Sequence, residues 1–139
     1  MPAVLFGREP ERSKQRHVRD HTMTGARILV VDDDRLTRAV VVRSLEEGGF
    51  ICVAAEDAVD AGMRLERERF DLVLTDVDMP GISGLALARA VRCWRPSLPV
   101  LVMSGGAYEC EALRLGARRF LQKPFSPATV VECVTAALR

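Results

Sequence analysis

The stretch Asp71-Leu72-Val73-Leu74-Thr75-Asp76-Val77-Asp78-Met79-Pro80-Gly81 constrains the fold more than any other part of the chain. An apolar run of this length between turn signals reads as a strand buried on both faces, since a half-exposed strand would alternate polar and apolar side chains. Strands of that kind belong to parallel sheets covered by helices, and such sheets carry their chemistry just beyond the strands' carboxyl ends. This run brings one carboxylate, Asp76, to its end before the chain breaks at Pro80-Gly81. Asp76 is therefore the first candidate for a reacting group.

The other layers follow in order. Arg27 to Val31 reads as a strand ending in Asp32-Asp33-Asp34. A helix from about Arg35 to Glu47 stops at Gly48-Gly49, with Val42 and Ser44 breaking its apolar face. Ile51 to Ala55 is a second strand, and Ala58, Ala61, Gly62 and Leu65 give the next helix its inner face. After the Asp76 strand, Gly84 to Trp94 repeats the helical period through Leu87, Ala90, Val91 and Trp94. Pro99 to Met103 is a fourth strand, stopped by Ser104-Gly105-Gly106, and a short helix spans Glu109 to Leu115. Arg119 to Gln122 is the fifth strand. The last helix has Ser126 as N-cap, Pro127 at its first position, and Val130, Cys133, Val134 and Ala137 inward. Trp94 is assigned to packing and Tyr108 to the surface. Five strand–helix units in succession imply a parallel five-stranded sheet with helices on both sides, a three-layer α/β sandwich.

Composition removes several classes of function. A chain of 139 residues can bury one core. Its 20 basic and 19 acidic residues nearly cancel, leaving no electrostatic footprint for nucleic acid. No apolar run approaches the ~18 residues a membrane span needs. Cys52, Cys93, Cys110 and Cys133 show no Cys-x-x-Cys spacing, so reduced, mostly packing cysteines and a cytoplasmic protein are expected. Residues 1–25 mix charges without an apolar period and are expected to be a disordered extension ahead of a domain at 26–139. Met23 offers a second start, which would make the first 22 residues dispensable or an artefact of start-site choice. His17 and His21 fall in this extension and are expected to be solvated.

Asp32 and Asp33 after the first strand and Asp76 after the third fall at one edge of the expected sheet. Two carboxylates ~4 Å apart repel by about 4 kcal/mol at an effective dielectric of 20, so three must protonate, pair or hold a cation. Oxygen ligands with open positions suit Mg²⁺. Ser104 and Lys123 follow strands four and five at the same edge. A hydroxyl and a cation facing a carboxylate–metal centre make a site for a phosphoryl group, where positioning and charge neutralisation carry most of the catalysis. Asp34 fits a turn or helix N-cap.

Val31-Asp32-Asp33, Asp76-x-x-Met79-Pro80-Gly81, Ser104-Gly105 and Lys123-Pro124-Phe125 together resemble the receiver domain of two-component response regulators, a flavodoxin-like (βα)5 fold. The resemblance covers about residues 26 to 139. It implies that Asp76 accepts a phosphoryl group from a phosphohistidine on a sensor kinase or phosphotransfer protein. It implies Mg²⁺ bound directly by Asp33 and through water by Asp32, with Asp76 and the backbone carbonyl of Asp78 as further ligands. Lys123 would pair with one phosphoryl oxygen and Ser104 would turn inward to another. Phe120 would follow as the switch aromatic, although a plain core role fits it equally. Pro124 would be preceded by a cis peptide bond.

Two departures stand out. Ser83 replaces a common acidic residue, and the interval from Ser104 to Gly116 is about one helical turn short, which puts output through the fourth helix in doubt. The expectation is a stand-alone receiver, without an output domain after Arg139, that signals through protein contacts or passes the phosphate on, a phospho-acceptor and not an enzyme with turnover. Asp76-Val77-Asp78 also resembles the first motif of haloacid-dehalogenase-type phosphatases, though Met79-Pro80 fits that motif poorly. A third alternative is a pseudo-receiver that only binds.

Overall fold

In the computed structural model, which describes residues 25–139, each apolar run becomes a strand: β1 (Arg27–Val31), β2 (Ile51–Ala55), β3 (Leu72–Asp76), β4 (Val100–Ser104) and β5 (Arg119–Gln122). They form one parallel sheet in the order β2-β1-β3-β4-β5. Every residue of β3 and β4 is buried, whereas edge strands β2 and β5 are partly exposed. The helices are α1 (Arg35–Glu47), α2 (Ala58–Arg67), α3 (Gly84–Trp94), α4 (Glu109–Arg114) and α5 (Pro127–Leu138).

Successive strand side chains point to opposite faces, and the core divides accordingly. Leu29, Val31, Val73 and Val102 pack with Leu65 of α2, Val91 of α3 and Ala112 of α4. Ile28, Val30, Leu72, Leu74, Leu101 and Met103 pack with Leu45 of α1 and Val130 and Val134 of α5. Burying each large apolar side chain contributes about 1.5–3 kcal/mol. Four helices open on a side-chain cap: Asp34 accepts from Thr37 N, Asp57 from Asp60 N, Ser83 from Ala86 N and Ser126 from Thr129 N. Helix α4 has only six residues and no such cap, as its short interval implied.

Several expectations change. β4 runs to Ser104, because Ser104 registers with Gln122 and its carbonyl accepts from Lys123 N at 2.9 Å. Ser44 does not break the inner face of α1; it is buried, and its hydroxyl bonds back to Val40 O. The buried face of α3 centres on Leu85, Leu87, Ala88 and Val91, leaving Ala90 and Trp94 half-buried. Tyr108 is half-buried against the α2–α3–α4 side of the core, where an added Cβ on Gly106 would meet its ring at 2.8 Å. Cys52 and Cys133 do pack on the opposite side, and burial pushes the Cys52 thiol up to about 12, but Cys93 and Cys110 are exposed. Of the expected extension only Gly25 is described, its N–H donating to Gly49 O at 2.9 Å; Met23 and both histidines lie outside the described residues. Among the described residues no helix is long and apolar enough to cross a membrane.

Candidate functional site

β1 and β3 are neighbours at the centre of the sheet, so their carboxyl ends deliver Asp32, Asp33 and Asp76 to one point. One oxygen from each lies within 4.8 Å of the others. Asp32 is fully buried, Asp76 nearly so, and Asp33 is exposed. Lys123 reaches over the end of β4 from β5, and its Nζ donates to Asp76 Oδ1 at 2.8 Å. The same Nζ lies 3.6 Å from Asp32 Oδ2, an ion pair too long for a hydrogen bond. Ser104 between them holds the lysine's backbone: its carbonyl accepts from Lys123 N and from the Gln122 side chain. The Ser104 hydroxyl accepts from Gly106 N at 2.9 Å, and the Lys123–Pro124 bond is cis.

Burial holds both the Asp32 and Asp76 carboxyls above the ordinary carboxylate range. For Asp76 the Lys123 hydrogen bond and charge offset this only partly, while Asp78 and Asp33 add to it. Burial pulls the Lys123 ammonium down, but its bond to Asp76 and the charges of Asp76 and Asp32 hold it above its usual range. The site is thus short of positive charge. Asp32 Oδ2 marks the deficit most clearly, being the one buried side-chain oxygen among the described residues that accepts no hydrogen bond. An orphaned carboxylate oxygen beside two more carboxylates fits a divalent cation with oxygen preference.

Asp78 is not part of the carboxylate cluster; its side chain is exposed two residues beyond Asp76. Phe120 is half-buried against the α2–α3–α4 side of the core, a position compatible with packing and with a movable aromatic alike. Two residues that support the site carry little signal in the sequence. Gly84 opens α3 directly against the Asp76 backbone, where an added Cβ would stand 1.8 Å from Asp76 O. Arg38 donates from α1 to the backbone carbonyl of Asp32. A glycine after a serine cap and an arginine in a polar helix are both unremarkable until the loop they touch is seen.

The sequence matches the response regulator receiver domain over residues 28–135. The chain belongs to that family. It is 41% identical over 112 residues to the response regulator protein FleR of Pseudomonas aeruginosa, covering 78% of this chain and 24% of that protein. It is 33% identical over 122 residues to the phosphate regulon transcriptional regulatory protein PhoB of the same species, covering 84% and 53%. This chain therefore spans only a quarter to a half of those relatives. The chemotaxis response regulator CheY4 of Vibrio cholerae shares the fold at a TM-score of 0.76 and 29% identity, over 82% of this chain and 99% of that one. TrrA of Thermotoga maritima, solved in complex with Mg²⁺–BeF, superposes at 0.76 with 29% identity, over 81% and 98%. Membership of this family decides against the Asp-x-Asp phosphatase alternative.

Proposed function

We propose that this receiver domain accepts a phosphoryl group on Asp76 from a phosphohistidine of a sensor kinase or phosphotransfer protein. The observation that carries this is the Lys123 ammonium, 2.8 Å from Asp76 Oδ1, at the rim of a three-carboxylate cluster. A carboxylate oxygen of Asp76 forms the new O–P bond as the donor's N–P bond breaks, with that electron pair returning to the imidazole. Lys123 pairs with a phosphoryl oxygen as charge arrives, and the Ser104 hydroxyl exchanges its Gly106 contact for another. Asp32, Asp33, Asp76 and the Asp78 backbone carbonyl would hold Mg²⁺, which supplies positive charge to the phosphoryl oxygens and relieves the carboxylate repulsion.

The chain acts in this account as a phospho-acceptor that assists its own labelling and hydrolysis, not as an enzyme with an external substrate. Output passes through protein contacts or onward phosphotransfer, with Phe120 following Ser104. The test is phosphotransfer profiling against a panel of autophosphorylated histidine kinases with Mg²⁺ present. Label moving from one kinase to this chain within seconds to minutes is the expected result. Retention of label by every kinase and phosphotransfer protein of the source organism would remove the proposed donor class.

A further inference from the structure

In the loop that carries two of the three carboxylates, Asp32 makes three hydrogen bonds. Its N–H donates to Ala55 O at 3.1 Å, and its Oδ1 accepts from Asp34 N at 2.9 Å. Its backbone carbonyl accepts from the Arg38 guanidinium. Oδ2 alone is left without a hydrogen bond, facing Lys123. Arg38 is itself anchored, since its N–H closes the first turn of α1 on Asp34 O at 2.9 Å. Its half-buried side chain reaches back over that turn.

From these contacts we infer that Arg38 is a positioning residue for the metal-binding loop, acting through the peptide plane that joins Asp32 to Asp33. The Asp32 carbonyl belongs to the peptide unit immediately before Asp33. Gripping it fixes the direction in which the exposed Asp33 side chain leaves the backbone, while the Asp34 N–H bond fixes the following residue. Asp33 makes no hydrogen bond of its own among the described residues, so its aim depends on these neighbours. Arg38 thus sets the mutual placement of Asp32 and Asp33 without touching either carboxylate. Charge alone predicts the opposite effect, because a guanidinium close to the site repels a divalent cation. The two accounts differ in sign.

This inference rests on the proposed Mg²⁺ role of the three aspartates, and the experiment separates the two. Mg²⁺ affinity is measured by titration calorimetry on the full chain, for the wild type, Arg38→Met and Arg38→Lys, with melting temperature in EDTA as the folding control. Arg38→Met keeps the apolar stem but removes the donor. It should weaken Mg²⁺ binding about ten-fold, the usual scale for a group that orients a metal ligand, with an EDTA melting temperature close to wild type. Arg38→Lys should recover part of that loss. In acetyl phosphate labelling, the Mg²⁺ concentration giving half-maximal rate should rise while the rate at saturating Mg²⁺ stays near wild type. Unchanged or tighter Mg²⁺ binding in Arg38→Met would overturn the positioning role. A parallel loss of affinity and of EDTA stability in both variants would also overturn it, showing a merely structural arginine. A wild type that binds no Mg²⁺ would instead sink the metal site itself.

Discussion

Lys123 and Asp76 stand 47 positions apart in the chain, at the carboxyl ends of strands separated by β4, and meet in a 2.8 Å hydrogen bond. The Ser104 carbonyl accepts from Lys123 N at 2.9 Å and so holds the lysine backbone at the end of β4. The Lys123–Asp76 bond links the candidate acceptor to the fold's last strand, so whatever changes at Asp76 is felt at Lys123.

Removing the lysine should cost stability as well as reactivity. Breaking a fully buried ion pair costs about 3–5 kcal/mol. The Lys123 side chain is 26% exposed, and solvent screening reduces the penalty to about 1–2 kcal/mol. Urea unfolding of Lys123→Met in EDTA should show that loss with an unchanged m-value. A variant as stable as the wild type would mean that the pair contributes nothing to the resting fold.

The buried carboxylates set the sign of a pH effect. Burial raises Asp32 and Asp76 above their unfolded value of 3.8. A group raised in the folded state gives stability that is fully present below its unfolded pKa and lost as pH rises through its folded one. In EDTA the protein should therefore become more stable as pH falls from 7 toward that unfolded value of 3.8. Asp34 runs the other way, because its bonds to Thr37 hold its carboxyl below 3.8 and their contribution fades only at lower pH. Asp32→Asn keeps an oxygen for Asp34 N but cannot ionise. It should be more stable than the wild type at pH 7 and gain less on acidification. Denaturation midpoints at the two pH values check this, and an Asp32→Asn protein with the full wild-type pH response would contradict it.

Gly84 should tolerate no side chain. A Cβ there would lie 1.8 Å from Asp76 O and 2.7 Å from Asp76 C, and both are backbone atoms. Gly84→Ala should lose about 3 kcal/mol or more, since neither α3 nor the end of β3 can move without repacking the core. Gly105→Ala serves as the control. Its Cβ would meet nothing within 4 Å, and its stability should stay within about 0.5 kcal/mol of wild type. Equal melting temperatures for the two variants would show that the close approach at Gly84 is not a constraint.

Much of this architecture is legible in the sequence, for identifiable reasons. β2 and β5 match their expected bounds because Gly48-Gly49 precede the first run and Lys123-Pro124 follows the second. Asp34 and Ser126 stand where helix caps form, and capping is a local matter of one side chain and one N–H. Ser104 is harder to place: a hydroxyl before two glycines reads as a turn, and only pairing with β5 keeps it in the strand. Tyr108 folds inward because Gly106 leaves room for its ring, a relation that no periodicity encodes. The convergence of Asp32, Asp33, Asp76 and Lys123 followed from strand order, whereas the orphaned Asp32 Oδ2 and the Arg38 contact depend on atomic directions that residue types do not specify.

The most direct measurement is intact-mass analysis after incubation with acetyl phosphate and Mg²⁺, comparing the wild type with Asp76→Asn. The wild type should gain a single phosphoryl group that survives acid, is lost in base, and is absent when EDTA replaces Mg²⁺. Asp76→Asn should gain none. A phosphoryl group retained by Asp76→Asn, or a wild type that stays unlabelled at saturating donor and Mg²⁺, would contradict the assignment of Asp76 as the acceptor.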